Sequence, residues 1–77
     1  MKMKEQMDWC PKKYQERVAS LEMENDLIDD CKYMLYLNQD WCWDDDYWCF
    51  PVKSKKEALE LIKHARLRTP EEKEMHP

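Results

Sequence analysis

The sequence predicts a small α+β domain, and three observations carry that expectation. Residues 31–37 (CKYMLYL) alternate so that Cys31, Tyr33, Leu35 and Leu37 share one face, as a half-buried strand requires. The decapeptide WCWDDDYWCF at 41–50 gathers five of the chain's nine aromatic residues around three aspartates, which suits two short strands and an acidic turn. The tetrapeptide SKKE at 54–57 has the form of a capping box and opens a stretch with helical apolar spacing.

Element by element, Pro11 suits a first helical position, with Cys10 as the N-cap. Tyr14, Val18 and Leu21 then recur at helical spacing, so a helix is expected over 11–24, ended by Asn25 and Asp26. A strand follows over about 31–37, and "NQD" at 38–40 reads as a turn. In the hairpin expected next, Trp43 faces Tyr47, Cys42 faces Trp48 and Trp41 faces Cys49, while Pro51 confines the second strand to an edge or an end. The last helix is expected over 55–67, with Ala58, Leu61, Ile62 and Ala65 as its apolar stripe, and Thr69-Pro70 as its stop.

The expected order is therefore helix, strand, short hairpin, helix. Two helices would pack on one face of a two- or three-stranded antiparallel sheet. Residues 11–68 would form the single domain, 1–10 a flexible N-terminal arm and 69–77 a frayed tail. An all-α arrangement is the alternative, because Leu27, Ile28, Cys31, Met34 and Leu35 also make a helical stripe, leaving strand or helix open for residues 27–38.

With 77 residues the chain has a small core, which a partner chain, a metal or disulfides would help. There is no glycine, so any left-handed turn must use Asn or Asp. No apolar run is long enough for a membrane helix, and MKMKEQMDW lacks the apolar core of a secretory signal. The expectation is a cytoplasmic protein with reduced thiols. Net charge is −4 but unevenly spread: residues 21–50 hold one basic and nine acidic side chains, while 1–20 and 51–77 each have a balance of +2. An acidic block of this kind repels nucleic acid and attracts basic surfaces.

Little in the sequence points to catalysis or a cofactor. Cys10, Cys31, Cys42 and Cys49 are separated by 20, 10 and 6 residues and form no CxxC pair, and His64 and His76 are isolated. Thiols packed as small hydrophobes explain this spacing better than zinc, and a Cys42–Cys49 bridge would join opposite faces of the hairpin. The Asp44–Asp46 run is followed directly by Tyr47 and Trp48 and lacks the glycine of a calcium loop. Cys10 at a helix N-terminus could be activated, but no second residue nominates itself as its base. No metal, no cofactor and no enzymatic activity are expected.

What remains is interaction. Trp and Tyr are the side chains that anchor interfaces, and a domain this small cannot bury both faces of a Trp-rich sheet. Two of Trp41, Trp43, Trp48, Tyr36 and Tyr47 are expected to stay exposed or lie under a second chain. Glu22, Glu24, Asp26, Asp29, Asp30, Asp40 and Asp44–Asp46 could line one acidic surface, although a solvated face explains any single carboxylate. The sequence thus reads as a non-catalytic protein-binding module, an inhibitor or accessory factor competing for a basic surface. Its binding residues would be Trp41, Trp43, Asp44, Asp45, Asp46, Tyr47 and Trp48, and its partner a protein with a basic surface, or a second copy in a homodimer. One alternative is a metal- or redox-responsive domain using the four cysteines. Another is weak nucleic-acid binding through Lys55, Lys56, Lys63, Arg66 and Arg68 of the last helix.

Overall fold

The computed structural model describes residues 2–4, 6–25, 30–44 and 47–75. The chain is an α+β domain, as the sequence predicts. In order come β1 (Lys2–Lys4), a 3-10 turn (Met7–Trp9), α1 (Lys12–Gln15), β2 (Val18–Glu24), β3 (Tyr33–Leu37), β4 (Trp41–Cys42), β5 (Cys49–Val52), α2 (Lys55–Lys63), β6 (Arg66–Leu67) and α3 (Pro70–Met75). The main sheet is antiparallel with strand order β1-β2-β3-β5, and β4 and β6 form a second, two-stranded sheet. Among the described residues no helix is long and apolar enough to cross a membrane.

The helix expected over 11–24 is replaced by the four residues of α1 and the seven of β2. A bulge explains the false signal. Val18 lies opposite Leu37 and Ser20 opposite Tyr36, so Ala19 is an extra residue in β2. The insertion puts Val18 and Leu21, three positions apart, on the same face as Leu35 and Leu37, and all four are buried. A spacing of three is what a helical stripe also shows.

The strand expected near 31–37 forms as β3. The "NQD" turn forms too, with the Trp41 N–H donating to the Asn38 carbonyl at 2.9 Å. The left-handed backbone among the described residues falls on an aspartate, Asp30 at φ 61°. β5 is an edge strand, as Pro51 requires. Because the Leu37 N–H donates to the Trp48 carbonyl, alternation along the ladder turns Phe50 and Val52 toward β3 and Cys49 and Pro51 away from it. The N–H that Pro51 lacks would point outward, so the ladder loses nothing.

Ser54 caps α2 by accepting from the Glu57 N–H at 3.2 Å, while the Glu57 carboxylate reaches back one residue further than expected, to the Lys53 N–H. The helix ends at Lys63 rather than 67, because Arg66 and Leu67 are drawn into pairing with Cys42 and Trp41. Its last carbonyls are satisfied from distant elements. The Trp43 indole N–H donates to Leu61 O at 2.6 Å, and Arg17 Nη1 lies 3.3 Å from Ile62 O and 3.4 Å from Lys63 O.

Both ends expected as arm and tail take secondary structure. Lys2–Lys4 pair with Glu22–Glu24, and Cys10 is buried in the core. At the other end Thr69 and Glu72 form a reciprocal capping box: Thr69 Oγ1 accepts from the Glu72 N–H at 3.2 Å, and Glu72 Oε1 accepts from the Thr69 N–H at 2.8 Å. Pro70 therefore begins α3 instead of merely ending α2. Glu72 also holds Arg66 through two bonds, at 2.8 and 2.7 Å.

The core lies on one face of the main sheet. Val18, Leu21, Leu35, Leu37 and Val52 meet Ala58 and Ile62 of α2, with Ala65, Cys10 and Trp43 completing the cluster. Only one of the two expected covering helices exists. The place of the other is taken by Trp43 and by Met7, Trp9 and Tyr14 at the margin.

Candidate functional site

The two halves of WCWDDDYWCF do not pair as a hairpin. Trp41 and Cys42 pair with Leu67 and Arg66, whereas Cys49 and Phe50 pair with Tyr36 and Leu35. One expected link survives, the Trp43 N–H to the Tyr47 carbonyl at 3.2 Å. Each half gains a partner outside the decapeptide, so the acidic stretch becomes a connection between two sheets. Asp45 and Asp46 lie outside the described residues, while Asp44 is exposed and 3.5 Å from Arg66 Nε.

This arrangement divides the aromatic residues. Trp43 is 8% exposed and belongs to the core. Trp41 is half-buried, with the Arg17 guanidinium 4.8 Å from its ring centroid. Tyr47, Trp48 and Phe50 remain 55%, 46% and 39% exposed and form a surface aromatic cluster straddling the edge strand β5. On one side Phe50 makes edge-to-face contacts with buried Trp43 at 5.7 Å and with Tyr47 at 5.9 Å. On the other, Trp48 rests against Tyr36 with ring centroids 5.2 Å apart. Of the proposed binding residues, the structure brings Tyr47 and Trp48 to the surface and withdraws Trp43. Phe50 and Tyr36 join the surface group. Both carried a signal in the sequence, since Phe50 falls on a strand next to a proline and Tyr36 alternates against the buried leucines.

Trp48 separates two shallow concavities. One, about 510 Å³, is lined by Ser20, Glu22, Tyr36 and Trp48. The other, about 490 Å³, lies between Trp48, Ala19 and Leu37 and the polar residues Glu16, Asn38 and Asp40. The wider acidic block is not one bare surface. Asp40 pairs with Lys73 at 3.2 Å and Asp44 lies 3.5 Å from Arg66 Nε. Asp26 and Asp29 lie outside the described residues. Basic residues of the C-terminal segment fold back onto part of the acidic middle.

The basic row expected on the last helix is likewise dispersed. Lys63 pairs with Glu60 at 3.1 Å, Arg66 is engaged by Glu72 and Asp44, and Arg68 is only 7% exposed. The Nε and Nη2 groups of Arg68 have no hydrogen-bond partner among the described residues, which makes it a costly cation to bury. Arg68→Met, which keeps the aliphatic stem, is expected to raise stability by about 1–3 kcal/mol. Urea denaturation checks this, and a fall in stability would reveal an anionic partner for the guanidinium.

The cysteines form no three-ligand cluster among the described residues. All four are free, Cys10 and Cys42 buried and Cys31 and Cys49 half-buried, and no three His, Cys, Asp or Glu side chains converge among the described residues. Cys10 is not the N-cap of α1, a place taken by Pro11, and burial pushes its thiol up rather than activating it. Burial, and secondarily the charge of Glu24, push the Cys49 thiol up as well. His64 ends α2 as an exposed residue, and His76 lies outside the described residues. Iodoacetamide is expected to modify Cys31 and Cys49 before Cys10 and Cys42. A raised pKa leaves less thiolate at neutral pH, so Cys49 should react more slowly than an unperturbed thiol and speed up as the pH is raised. Peptide mapping by mass spectrometry over time and pH reads both effects.

No known protein family, curated protein or solved structure matches this chain. The aromatic edge and the carboxylates beside it must therefore be interpreted from their own chemistry.

Proposed function

We propose that the protein is a non-catalytic binding module whose contact surface is the aromatic edge formed by Tyr47, Trp48 and Phe50. The observation that carries this reading is the exposure of three large aromatic side chains within four residues of an edge strand, in a chain with few residues to spare for its core. Exposed clusters of Tyr, Trp and Phe are the anchors of protein interfaces, and solvation alone gives no reason to hold them there. Carboxylates around Trp48 favour a partner with a basic surface, such as a protein whose own ligand is anionic, which the module would inhibit or assist by occupancy.

Paired capture experiments test the reading. The intact chain and the triple variant Tyr47→Ser, Trp48→Ser, Phe50→Ser are each used as bait against the lysate of the source cell. Because Trp48 packs on Tyr36 and Phe50 on Trp43, the variant is first shown to be folded by far-UV circular dichroism at a temperature below its lowered melting point, and it should then lose the protein that the parent retains. A folded variant that keeps the same partner at full yield would move the contact surface elsewhere.

A further inference from the structure

The two concavities beside Trp48 point to the kind of segment a partner would present, a step that rests on the binding-module proposal. They share the indole as a common wall. One is bordered by Glu22 and the other by Glu16 and Asp40, and no basic side chain lines either. Asp40 already engages Lys73 at its exposed carboxylate, but among the described residues Glu16 and Glu22 have no ion-pair partner. Ser20 adds an independent sign. It is a buried residue on the wall of the first concavity, and its hydroxyl makes no hydrogen bond within the described residues. The hydroxyl is thus open to a donor that enters the concavity.

We infer that these concavities seat two basic side chains of an extended segment of the partner protein, one on each side of Trp48. The chemistry favours arginine. A guanidinium stacks on an aromatic ring while its N–H fork faces a carboxylate, whereas an ammonium does one of these well and the other poorly. The first seat offers Tyr36 and Trp48 for stacking, Glu22 for the charge and the Ser20 hydroxyl as a further acceptor. The second offers Trp48, Glu16 and Asp40, with the polar side chain of Asn38 beside them. Side chains on one face of an extended strand are about 7 Å apart, which lets residues i and i+2 straddle a single ring. The occupant is therefore an Arg-x-Arg segment. Phosphate-bearing ligands do not fit, because three carboxylates surround the indole and would repel them. The chain's own Arg66-Leu67-Arg68 does not qualify, since Arg66 is held by Glu72 and Arg68 is buried.

The test is a titration of the intact, isotope-labelled protein, followed by NMR, with a threonine-serine nonapeptide carrying two arginines separated by one residue. A control peptide has the same composition with the arginines adjacent, which sends them to opposite faces. The expected result is a set of shifts confined to Ser20, Glu16, Tyr36 and the Trp48 indole, with affinity about tenfold above the control. Glu22→Lys and Glu16→Lys should each remove that preference while leaving the remaining spectrum folded, and lysine in place of arginine should weaken binding. Equal binding of the two peptides, shifts elsewhere, or indifference to both charge reversals would overturn the inference. So would concentration-dependent shifts at Trp48 without peptide, which would name a second copy of the chain as the occupant. The two proposals fail separately: a natural partner lost by the aromatic triple variant but insensitive to Glu16→Lys and Glu22→Lys would leave the binding surface standing and remove the arginine seats.

Discussion

Trp43→Ala is expected to lose about 3–5 kcal/mol of stability, the range for truncating a large buried aromatic side chain. A chain of this length has on the order of 4–12 kcal/mol in all, so much of the population should unfold under mild conditions. Three links act through this one side chain. The ring packs in the core cluster, its edge meets Phe50, and its indole N–H supplies a 2.6 Å bond to the Leu61 carbonyl at the end of α2. Truncation opens a cavity beneath the helix and strips a partner from that carbonyl in one step. Trp43→Phe keeps most of the volume and isolates the hydrogen bond, and it should cost only about 1–2 kcal/mol. Urea denaturation followed by far-UV circular dichroism measures both. An unchanged midpoint for Trp43→Ala would place the ring outside the core. The practical consequence is that Trp43 cannot report on binding, because its loss damages the fold first. Trp48 can.

How much of this was legible in the sequence depended on whether the deciding partner was local. β3 was legible because Leu35 and Leu37 alternate with half-buried residues, and the start of α2 because Ser54 and Glu57 cap within one turn. β2 carries a helix-like signal because the extra residue Ala19 turns a strand's spacing of two into three. The expected hairpin gives way because Trp41 finds Leu67, and Cys49 finds Tyr36, rather than each other. No local preference decides between those pairings. The start of α3 has a local signal, since Thr69-Pro70-Glu71-Glu72 carries the same capping pattern as residues 54–57. A proline after threonine can end one helix and begin the next.

The exposed aromatic edge is legible to the same degree. An aromatic excess in the decapeptide was enough to expect exposure, and Tyr47 and Trp48 are exposed. Which tryptophan would be buried was not, since the choice of Trp43 follows from a helix carbonyl eighteen residues later. The acidic block was legible as composition but not as a surface. Folding sets Asp40 against Lys73 and Asp44 against Arg66, and the carboxylates without such a partner beside Trp48, Glu16 and Glu22, are the ones on which the binding proposal chiefly rests.

Arg17→Ala is expected to cost about 2–3 kcal/mol, a large effect for a side chain near the surface, from the loss of stacking and of charge-assisted hydrogen bonds. The guanidinium lies between two rings, 5.0 Å from the Tyr14 centroid and 4.8 Å from that of Trp41, while Nη1 reaches the last carbonyls of α2. It therefore joins α1, β4 and the C-terminus of α2, where a positive charge also suits the helix dipole. Arg17→Lys keeps the charge but cannot present a planar fork to the rings and the carbonyls together, so it should recover less than half of the loss. If simple surface charge were the role, lysine would restore stability and added salt would erase the difference. Thermal denaturation of the three proteins at low and high salt separates these outcomes. The expected result is a largely salt-insensitive loss, because the guanidinium is partly shielded from solvent between the two rings. The Arg17→Ala variant should also show increased quenching of Trp41 by a small neutral quencher, as the cation that covers its ring is removed.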